Sequence, residues 1–424
     1  MRAVLAGTFL LRFASGITGG LLVFYLKGLG AFGGETITPF TFGLVLSTFY
    51  VTELTLSPIF GVLSDRIGHH RIMEIGPMFG ILAAIITGLT VNLWILGGTR
   101  LLEGASTAAS VPSVLGFVAV ATQGDELLRG RISARFEAAT VAGAGGGVAA
   151  AGVLWNFLGR DAFFVNAGFY VIALLVYRYG VSAADAGRDA AMVKTRPAGP
   201  SPIARYAKLL RSSHVWLLAP TWIALNAALG LYTSQTLFQL IGGPDPRFPD
   251  QFLVGGFAPL EISGGFVVAG VVFFGGMAFW GDRFKRFQRT TIITYGLGGG
   301  AVLAATGLVI NHSGGVDALF RLPVLLVAGG GLFVLAGATP AAIGLLADMS
   351  EHFPDDRGAL MGLYSVFFSF GAIIGLLLGG AVADWGALDG IFLATLALLV
   401  IALIPLSLLR RFESSFAAPV EESA

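Results

Sequence analysis

Residues 61–71 decide the fold, and they read Gly61-Val62-Leu63-Ser64-Asp65-Arg66-Ile67-Gly68-His69-His70-Arg71. This charged stretch lies between two long apolar segments, residues 41–63 and 72–91. About 20 apolar residues, rising about 1.5 Å each, cross the hydrocarbon core of a bilayer. Each flanking segment is therefore long enough to span a membrane, and the charged stretch between them is expected at a membrane face.

The same pattern recurs in the second half of the chain, again after an apolar segment, as Gly276-Met277-Ala278-Phe279-Trp280-Gly281-Asp282-Arg283-Phe284-Lys285-Arg286. Asp282 follows Asp65 by 217 residues, which is close to half of the 424-residue chain. A second set of matches has a spacing of 228 residues: Arg129-Gly130, Gly143, Gly147 and Gly152 recur as Arg357-Gly358, Gly371, Gly375 and Gly380. Two matched sets at similar spacings indicate an internal duplication.

Composition places most of this chain in lipid. Hydrophobic residues make up 55% of it and charged residues only 12%, whereas a soluble globular chain carries about 25% charged residues. The mean hydropathy is +0.81. The chain has no cysteine, which excludes disulfides, thiolate metal sites and cysteine nucleophiles. The apolar run that follows Met1 and Arg2 is too long for the core of a signal peptide, so it is interpreted as the first span.

The apolar segments predict an all-α membrane protein with twelve transmembrane helices in two pseudo-symmetric six-helix bundles. The predicted spans are residues 4–27, 41–63, 72–91, 95–119, 132–156, 163–179, 214–238, 258–280, 290–310, 322–347, 358–382 and 389–410. The predicted domains are an N-terminal bundle (1–180), a polar cytoplasmic linker (181–212), a C-terminal bundle (213–411) and a disordered tail (412–424).

Charge distribution predicts the topology. With both termini in the cytoplasm, 20 of the 26 lysines and arginines fall on cytoplasmic segments and four on the opposite face. Such an excess on one side is the positive-inside rule. It predicts a multi-pass protein of the plasma (cell inner) membrane, with the stretch at residues 61–71 in the cytoplasm.

The arrangement of Gly61, Asp65, Arg66, Gly68 and Arg71 resembles the signature loop between helices 2 and 3 of the major facilitator superfamily. This resemblance implies alternating-access transport of a small molecule, with cytoplasmic gating loops. It implies that Asp65 contacts the start of helix eleven, and Asp125 is the expected partner of Arg66 or Arg71. The second copy contributes Asp282 and Arg283. Ala278 and Lys285 replace its two glycines, so we expect Asp282 to matter less than Asp65.

Glu53 is the acid deepest in the predicted bilayer. A charged side chain at a helix centre costs at least about 2.5–3.5 kcal/mol, so each one is a functional candidate. Protonation removes the cost for a carboxyl group, which suits a proton-coupled carrier. The alternative is a permanent ion pair between Glu53 and Arg12 of the first span.

Three other charged residues are candidates for proton coupling. The stretch Arg100-Leu101-Leu102-Glu103-Gly104 resembles the family's helix-four motif, which is associated with proton coupling, with Glu103 in the place of a frequent glutamine. The alternative is that Arg100 and Glu103, three residues apart on one helix face, form a self-satisfied pair near the outer interface. Glu137 either takes part in coupling or extends to the cytoplasmic interface.

Span five is rich in glycine, at Gly143, Gly145, Gly146, Gly147 and Gly152. The pattern resembles the helix-five motif of drug–proton antiporters, although Val148 stands where that motif has proline. The alternative, which we favour, is close packing against span eight.

The second half has no central acid to match Glu53, so it is expected to contribute shape to the substrate cavity. Polar uncharged side chains orient a ligand in a mostly apolar pocket. The candidates for this cavity, which packing hydrogen bonds would explain equally well, are Asn226, Ser234, Gln235, Gln239, Tyr364, Ser365 and Ser369.

An enzyme is not expected, because no catalytic constellation, phosphate-binding loop, cofactor site or histidine metal site is found. Three functions are consistent with this pattern. The favoured one is a secondary active transporter that exports an amphipathic or hydrophobic compound by proton coupling. The second is a facilitator or proton symporter that imports a nutrient, and the third is a non-transporting, carrier-like protein acting in assembly or sensing. The expected partners are a small-molecule substrate, protons and the lipid bilayer, without nucleic acid, and the expected state is a monomer.

Overall fold

The computed structural model describes residues 1–122, 126–182, 187, 189, 215–281, 283, 286–350 and 357–413, and these residues form helices and no strands. The first half contains α1 (Arg2–Lys27), α2 (Pro39–Ile67), α3 (His69–Leu89), α4 (Leu93–Ala121), α5 (Glu126–Leu158) and α6 (Ala162–Gly180). The second half contains α7 (Val215–Gly230), a π-helical turn (Leu231–Gln235), α8 (Thr236–Leu240), α9 (Pro259–Gly281), α10 (Arg289–Asn311), α11 (Ala318–Leu335), α12 (Ala338–Ser350) and α13 (Arg357–Leu409).

These helices confirm the twelve predicted spans. Within the described residues, nine helical stretches are long and apolar enough to cross a membrane. Two of them, Arg135–Gly180 and Ser365–Leu409, have 46 and 45 residues. A helix of that length would measure about 68 Å, more than twice the hydrocarbon core, so each holds two crossings. The first is divided by the turn before α6 and the second by non-helical dihedrals at Gly386 and Ala387. Residues 215–240 supply the twelfth span.

The charged stretch at residues 61–71 is helical for most of its length. α2 continues to Ile67 and α3 begins at His69, so a single residue, Gly68, separates the two helices. Gly68 has a φ of 108°, a value that L-amino acids with side chains rarely adopt. The two helices extend a few residues beyond the predicted spans 41–63 and 72–91 at this junction, because hydropathy marks the hydrocarbon core whereas helical hydrogen bonds continue past it.

The chain divides into two compact units, Met1–Ala198 with Phe257–Val267, and Gly199–Gly256 with Val268–Ala424. Most of the predicted linker and most of the predicted tail lie outside the described residues. The predicted domain boundaries therefore stay a prediction.

Repeated glycines bring the first helix of each half against a later one. A β-carbon added to Gly147 of α5 would lie 2.7 Å from the backbone nitrogen of Ile17 in α1. Gly375 of α13, its match in the duplication, meets the backbone of Ala227 in α7 in the same way. These glycines allow two helix backbones to approach closely, as small residues do at helix contacts in membranes.

The expected packing of span five against span eight is confirmed for Gly152 alone. A β-carbon on Gly152 would contact Pro259 and Ser263 of α9, inside the first unit. The expectation is wrong for Gly143 and Gly147, which pack on α1. Glycine is needed at positions 143, 147 and 152 because backbone atoms of the neighbouring helix occupy the space that a side chain would take.

Substitution of Gly147 by alanine should lower the melting temperature of the detergent-purified protein, because the methyl group would push α1 and α5 apart. Gly145→Ala is the matched control, since a β-carbon at Gly145 meets nothing within 4 Å. The control should melt no lower than the parent, because alanine favours a helix over glycine by about 1 kcal/mol. Equal melting of the two variants would show that the contact between α1 and α5 does not require glycine at position 147.

Candidate functional site

Glu53 lies near the middle of α2, about 21 Å along the helix from its first residue. Its side chain is half-buried. It interacts electrostatically with Arg12 of α1, which is also half-buried, but the two side chains form no direct ion pair. The charges of Glu53 and Arg12 therefore interact at a distance, without a direct contact between the two side chains.

Arg100 and Glu103 form a direct ion pair inside the first unit. Only 6% of Arg100 and 2% of Glu103 is exposed. Glu103 lies about 15 Å along α4 from its first residue. The guanidinium of Arg100 also lies 5.1 Å from the centre of the Phe49 ring. Arg100 and Glu103 therefore pair with each other in this structure, and their part in proton coupling stays a prediction.

Two tyrosines connect these charged groups. The hydroxyl of Tyr170 in α6 donates to Oε1 of Glu103 over 3.4 Å. Tyr50 of α2, one helical turn before Glu53, interacts electrostatically with Glu53 and with Arg100. The sequence analysis did not single out Tyr50 and Tyr170, because tyrosine is not counted among the charged residues. The available signal was that both lie within predicted spans.

Glu137 of α5 is half-buried and interacts electrostatically with Arg12. It lies about 16 Å along α5, which begins at Glu126, six residues before the predicted span. Arg12 thus has two carboxyl groups within electrostatic reach, Glu53 and Glu137.

The predicted gating residues of the first half lie at the junction of α2 and α3. Arg66 and Arg71 are exposed, Gly61 is half-buried and Gly68 is buried. Asp65 belongs to the last turn of α2, and its side chain lies outside the described part of the structure. Asp125, its neighbour Gly124 and Asp282 also lie outside it.

Arg283, in the second copy of the signature loop, is described. Its Nη1 donates to the carbonyl oxygen of Phe279 over 2.9 Å, and its guanidinium lies 3.3 Å from the centre of the Phe279 ring. This contact occupies the guanidinium within its own loop.

Asp189, in the segment after α6, contacts the start of α3. Its Oδ1 lies 2.6 Å from Nδ1 of His69, and its Oδ2 accepts from the backbone nitrogen of His70 over 3.0 Å. Burial acts to raise the pKa of Asp189, but the hydrogen bonds from His69 and from the backbone of His70 outweigh it and hold the pKa below its ordinary value. The carboxylate therefore stays ionised at neutral pH, and the contact would be lost only as the pH falls through that depressed pKa.

The candidate cavity residues of the second half differ in burial. Asn226, Gln235, Gln239 and Ser369 are buried, Ser234 is half-buried and Ser365 is exposed. The side-chain nitrogen of Asn226 donates to the carbonyl oxygen of Trp222 over 2.7 Å, which is a bond within its own helix. The side chain of Tyr364 lies outside the described residues. Within the described ranges, no three acidic or histidine side chains form a group that could hold a metal ion.

A sequence profile of the Major Facilitator Superfamily matches residues 4–348 and 318–423 of this chain. Multidrug resistance protein 2 of Bacillus subtilis (strain 168) is 25% identical over 350 residues, which cover 81% of this chain and 80% of that protein. Quinolone resistance protein NorA of Staphylococcus aureus (strain MRSA252) is 24% identical over 404 residues, covering 93% of this chain and 94% of that protein.

The crystal structure of the nucleoside transporter NupG is similar to this chain in fold. The two align with a TM-score of 0.69 and 12% sequence identity, over 96% of this chain and 98% of that one. At this identity the similarity shows the fold alone.

Proposed function

The chain belongs to the major facilitator superfamily and is a multi-pass membrane protein, a secondary transporter of small molecules and not an enzyme; from this premise, we propose that it exports amphipathic or hydrophobic compounds in exchange for protons. Glu53 is the proposed proton carrier. Arg12, Arg100, Glu103 and Glu137 are the other residues proposed to take part in proton coupling.

The position of Glu53 is the observation that carries the proposal. A half-buried carboxyl in the middle of a membrane helix needs either a proton or a cation to neutralise it. Arg12 is close enough to interact but makes no direct ion pair, whereas Arg100 is committed to Glu103. Glu53 can therefore gain and lose a proton without breaking an existing pair. Glu137 shares this property, but Glu53 lies nearer the middle of its helix.

The proposed substrate class rests on the relatives and on the second half of the chain. The names of two relatives refer to resistance to multiple drugs and to quinolones. The second half offers only neutral polar candidates, and several are buried or bonded within their helices. A sugar or an amino acid would need denser polar contacts than these residues provide.

The expectations about gating loops, bundles, oligomeric state and topology are also part of this proposal. We propose that residues 61–71 and 276–286 are cytoplasmic gating loops between a bundle at 1–180 and a bundle at 213–411. We propose a monomer in the plasma membrane with both termini in the cytoplasm, which the positive charges on residues 178–211 support.

The test is uptake of ethidium and of norfloxacin, a quinolone, into proteoliposomes with an acidic interior. The fraction of the protein inserted inside-out should concentrate at least one of these compounds, because outward proton flow then drives inward substrate flow. Collapse of the pH gradient by a protonophore should release the accumulated compound. Protein-free liposomes give the passive background.

Three outcomes contradict the proposal. Uptake that reaches equilibrium but never exceeds it would indicate a facilitator. Accumulation driven by the opposite gradient would indicate a proton symporter that imports its substrate. Background uptake of both compounds under every gradient would exclude this substrate class.

A further inference from the structure

Asp189 acts as a cap for α3 from a distant part of the sequence. It lies nine residues beyond the end of α6, yet its carboxylate accepts from the backbone nitrogen of His70, the second residue of α3. Both Asp189 and His69 are buried. The first backbone N–H groups of a helix have no partner within the helix, so an anion placed there stabilises the helix start.

Glu413 does the same for α10 in the second unit. It lies four residues beyond the end of α13, and its Oε1 accepts from the backbone nitrogen of Thr290 over 3.3 Å. Thr290 is the second residue of α10, and its hydroxyl donates to the other oxygen of Glu413. Glu413 is 9% exposed and Thr290 is fully buried.

The two contacts are equivalent under the internal duplication. His70 and Thr290 are 220 residues apart, and Asp189 and Glu413 are 224 apart, between the two repeat spacings of 217 and 228. In each half a carboxylate from beyond the last helix of that half contacts the start of the helix that follows the signature loop. In each half the carboxylate also binds a side chain at that helix start, His69 in one and Thr290 in the other.

We propose that Asp189 and Glu413 are paired positioning residues that fix the two signature loops during transport. α2 and α3 are separated by Gly68 alone, so the direction of the first turn of α3 sets the position of the charged end of α2. A carboxylate fixed at that turn holds the loop in one geometry. The inference concerns the transport cycle itself and does not depend on which ion is coupled.

The test combines Asp189→Ala and Glu413→Ala with hydrogen exchange and transport. Amide exchange at the start of α3 should rise about fivefold in Asp189→Ala, the usual effect of removing a cap. Exchange at the start of α10 should rise equally in Glu413→Ala. Ethidium exchange in proteoliposomes without a gradient should show kcat reduced about tenfold and KM within about twofold of the parent, because loop geometry affects the conformational change more than binding.

Asp317→Ala is the matched control. Asp317 caps α11 by accepting from the backbone nitrogen of Leu319, again the second residue of its helix, over 2.9 Å, but α11 is not the helix that follows either signature loop. Exchange at the start of α11 should rise in this variant while kcat is unchanged.

An equal loss of kcat in Asp317→Ala, or an unchanged kcat in both test variants, would overturn the proposal. A loss of activity that is fully explained by the loss of folded protein would also overturn it.

If either alanine variant fails to fold, Asp189→Asn or Glu413→Gln takes its place, since each keeps one acceptor oxygen. These substitutions should give a smaller fall in kcat, and an unchanged kcat in them would be equally contradictory. If the parent protein does not transport ethidium, the hydrogen-exchange data alone test the proposal. Faster amide exchange in the variants that is confined to the first turns of α3 and α10, without a change in the last turn of α2, would then overturn it.

Discussion

Substitution of Glu53 by glutamine should abolish accumulation of substrate against its gradient, while substrate binding and passive exchange are retained. Glutamine keeps the shape of the side chain and is neutral at every pH, so it mimics the protonated carboxyl group permanently. A carrier that cannot release its proton has no means of coupling a pH gradient to substrate movement. Proteoliposome uptake with and without a gradient measures both properties on one preparation.

Glu261→Gln is the control for this experiment. Glu261 lies at the start of α9, where it is exposed and accepts from the backbone nitrogen of Ala258 over 2.8 Å. This variant should accumulate substrate normally. If Glu53→Gln still concentrates substrate by a pH gradient alone, the coupling role moves to Glu103 or Glu137. If Glu53→Gln misfolds and Arg12→Gln restores folding, Glu53 is half of a structural pair.

Substitution of Glu103 by leucine should strongly destabilise the protein. It would leave Arg100, only 6% exposed, without the carboxylate that neutralises it. Removal of one partner of a buried ion pair typically costs about 3–5 kcal/mol. The melting temperature in detergent should therefore fall sharply, and the double variant Arg100→Leu with Glu103→Leu should recover most of it.

An exposed ion pair gives the contrast. Arg178 is 59% exposed at its side chain and lies 3.2 Å from Glu74. Arg178→Leu should leave the melting temperature nearly unchanged, because solvent screens such pairs. A double variant at positions 100 and 103 that melts as low as Glu103→Leu alone would show that the cost comes from lost packing and not from an unpaired charge.

The sequence predicted the twelve spans because hydropathy reports directly on the bilayer. It also predicted close helix packing at the glycines of span five, including Gly147, but against span eight and not against α1. The duplication matched Gly147 with Gly375, whose neighbour α7 was not predicted, because a glycine pattern indicates close approach without identifying the neighbouring helix.

Long-range polar contacts were the least predictable part. The spacing of Arg100 and Glu103 allowed their pairing, since both lie on one helix. The bond from Tyr170 to Glu103 and the cap from Asp189 to His70 join residues 67 and 119 positions apart. No local pattern encodes such contacts, because they depend on how the helices pack.

Proton release on substrate binding is the most direct test of the central claim, that Glu53 couples transport to protons. Purified protein in a weakly buffered detergent solution is mixed with the compound that the uptake assay identifies, and the pH is recorded. The parent protein should release protons on binding, and Glu53→Gln should bind the compound without releasing any. Equal proton release by the two proteins would contradict the claim.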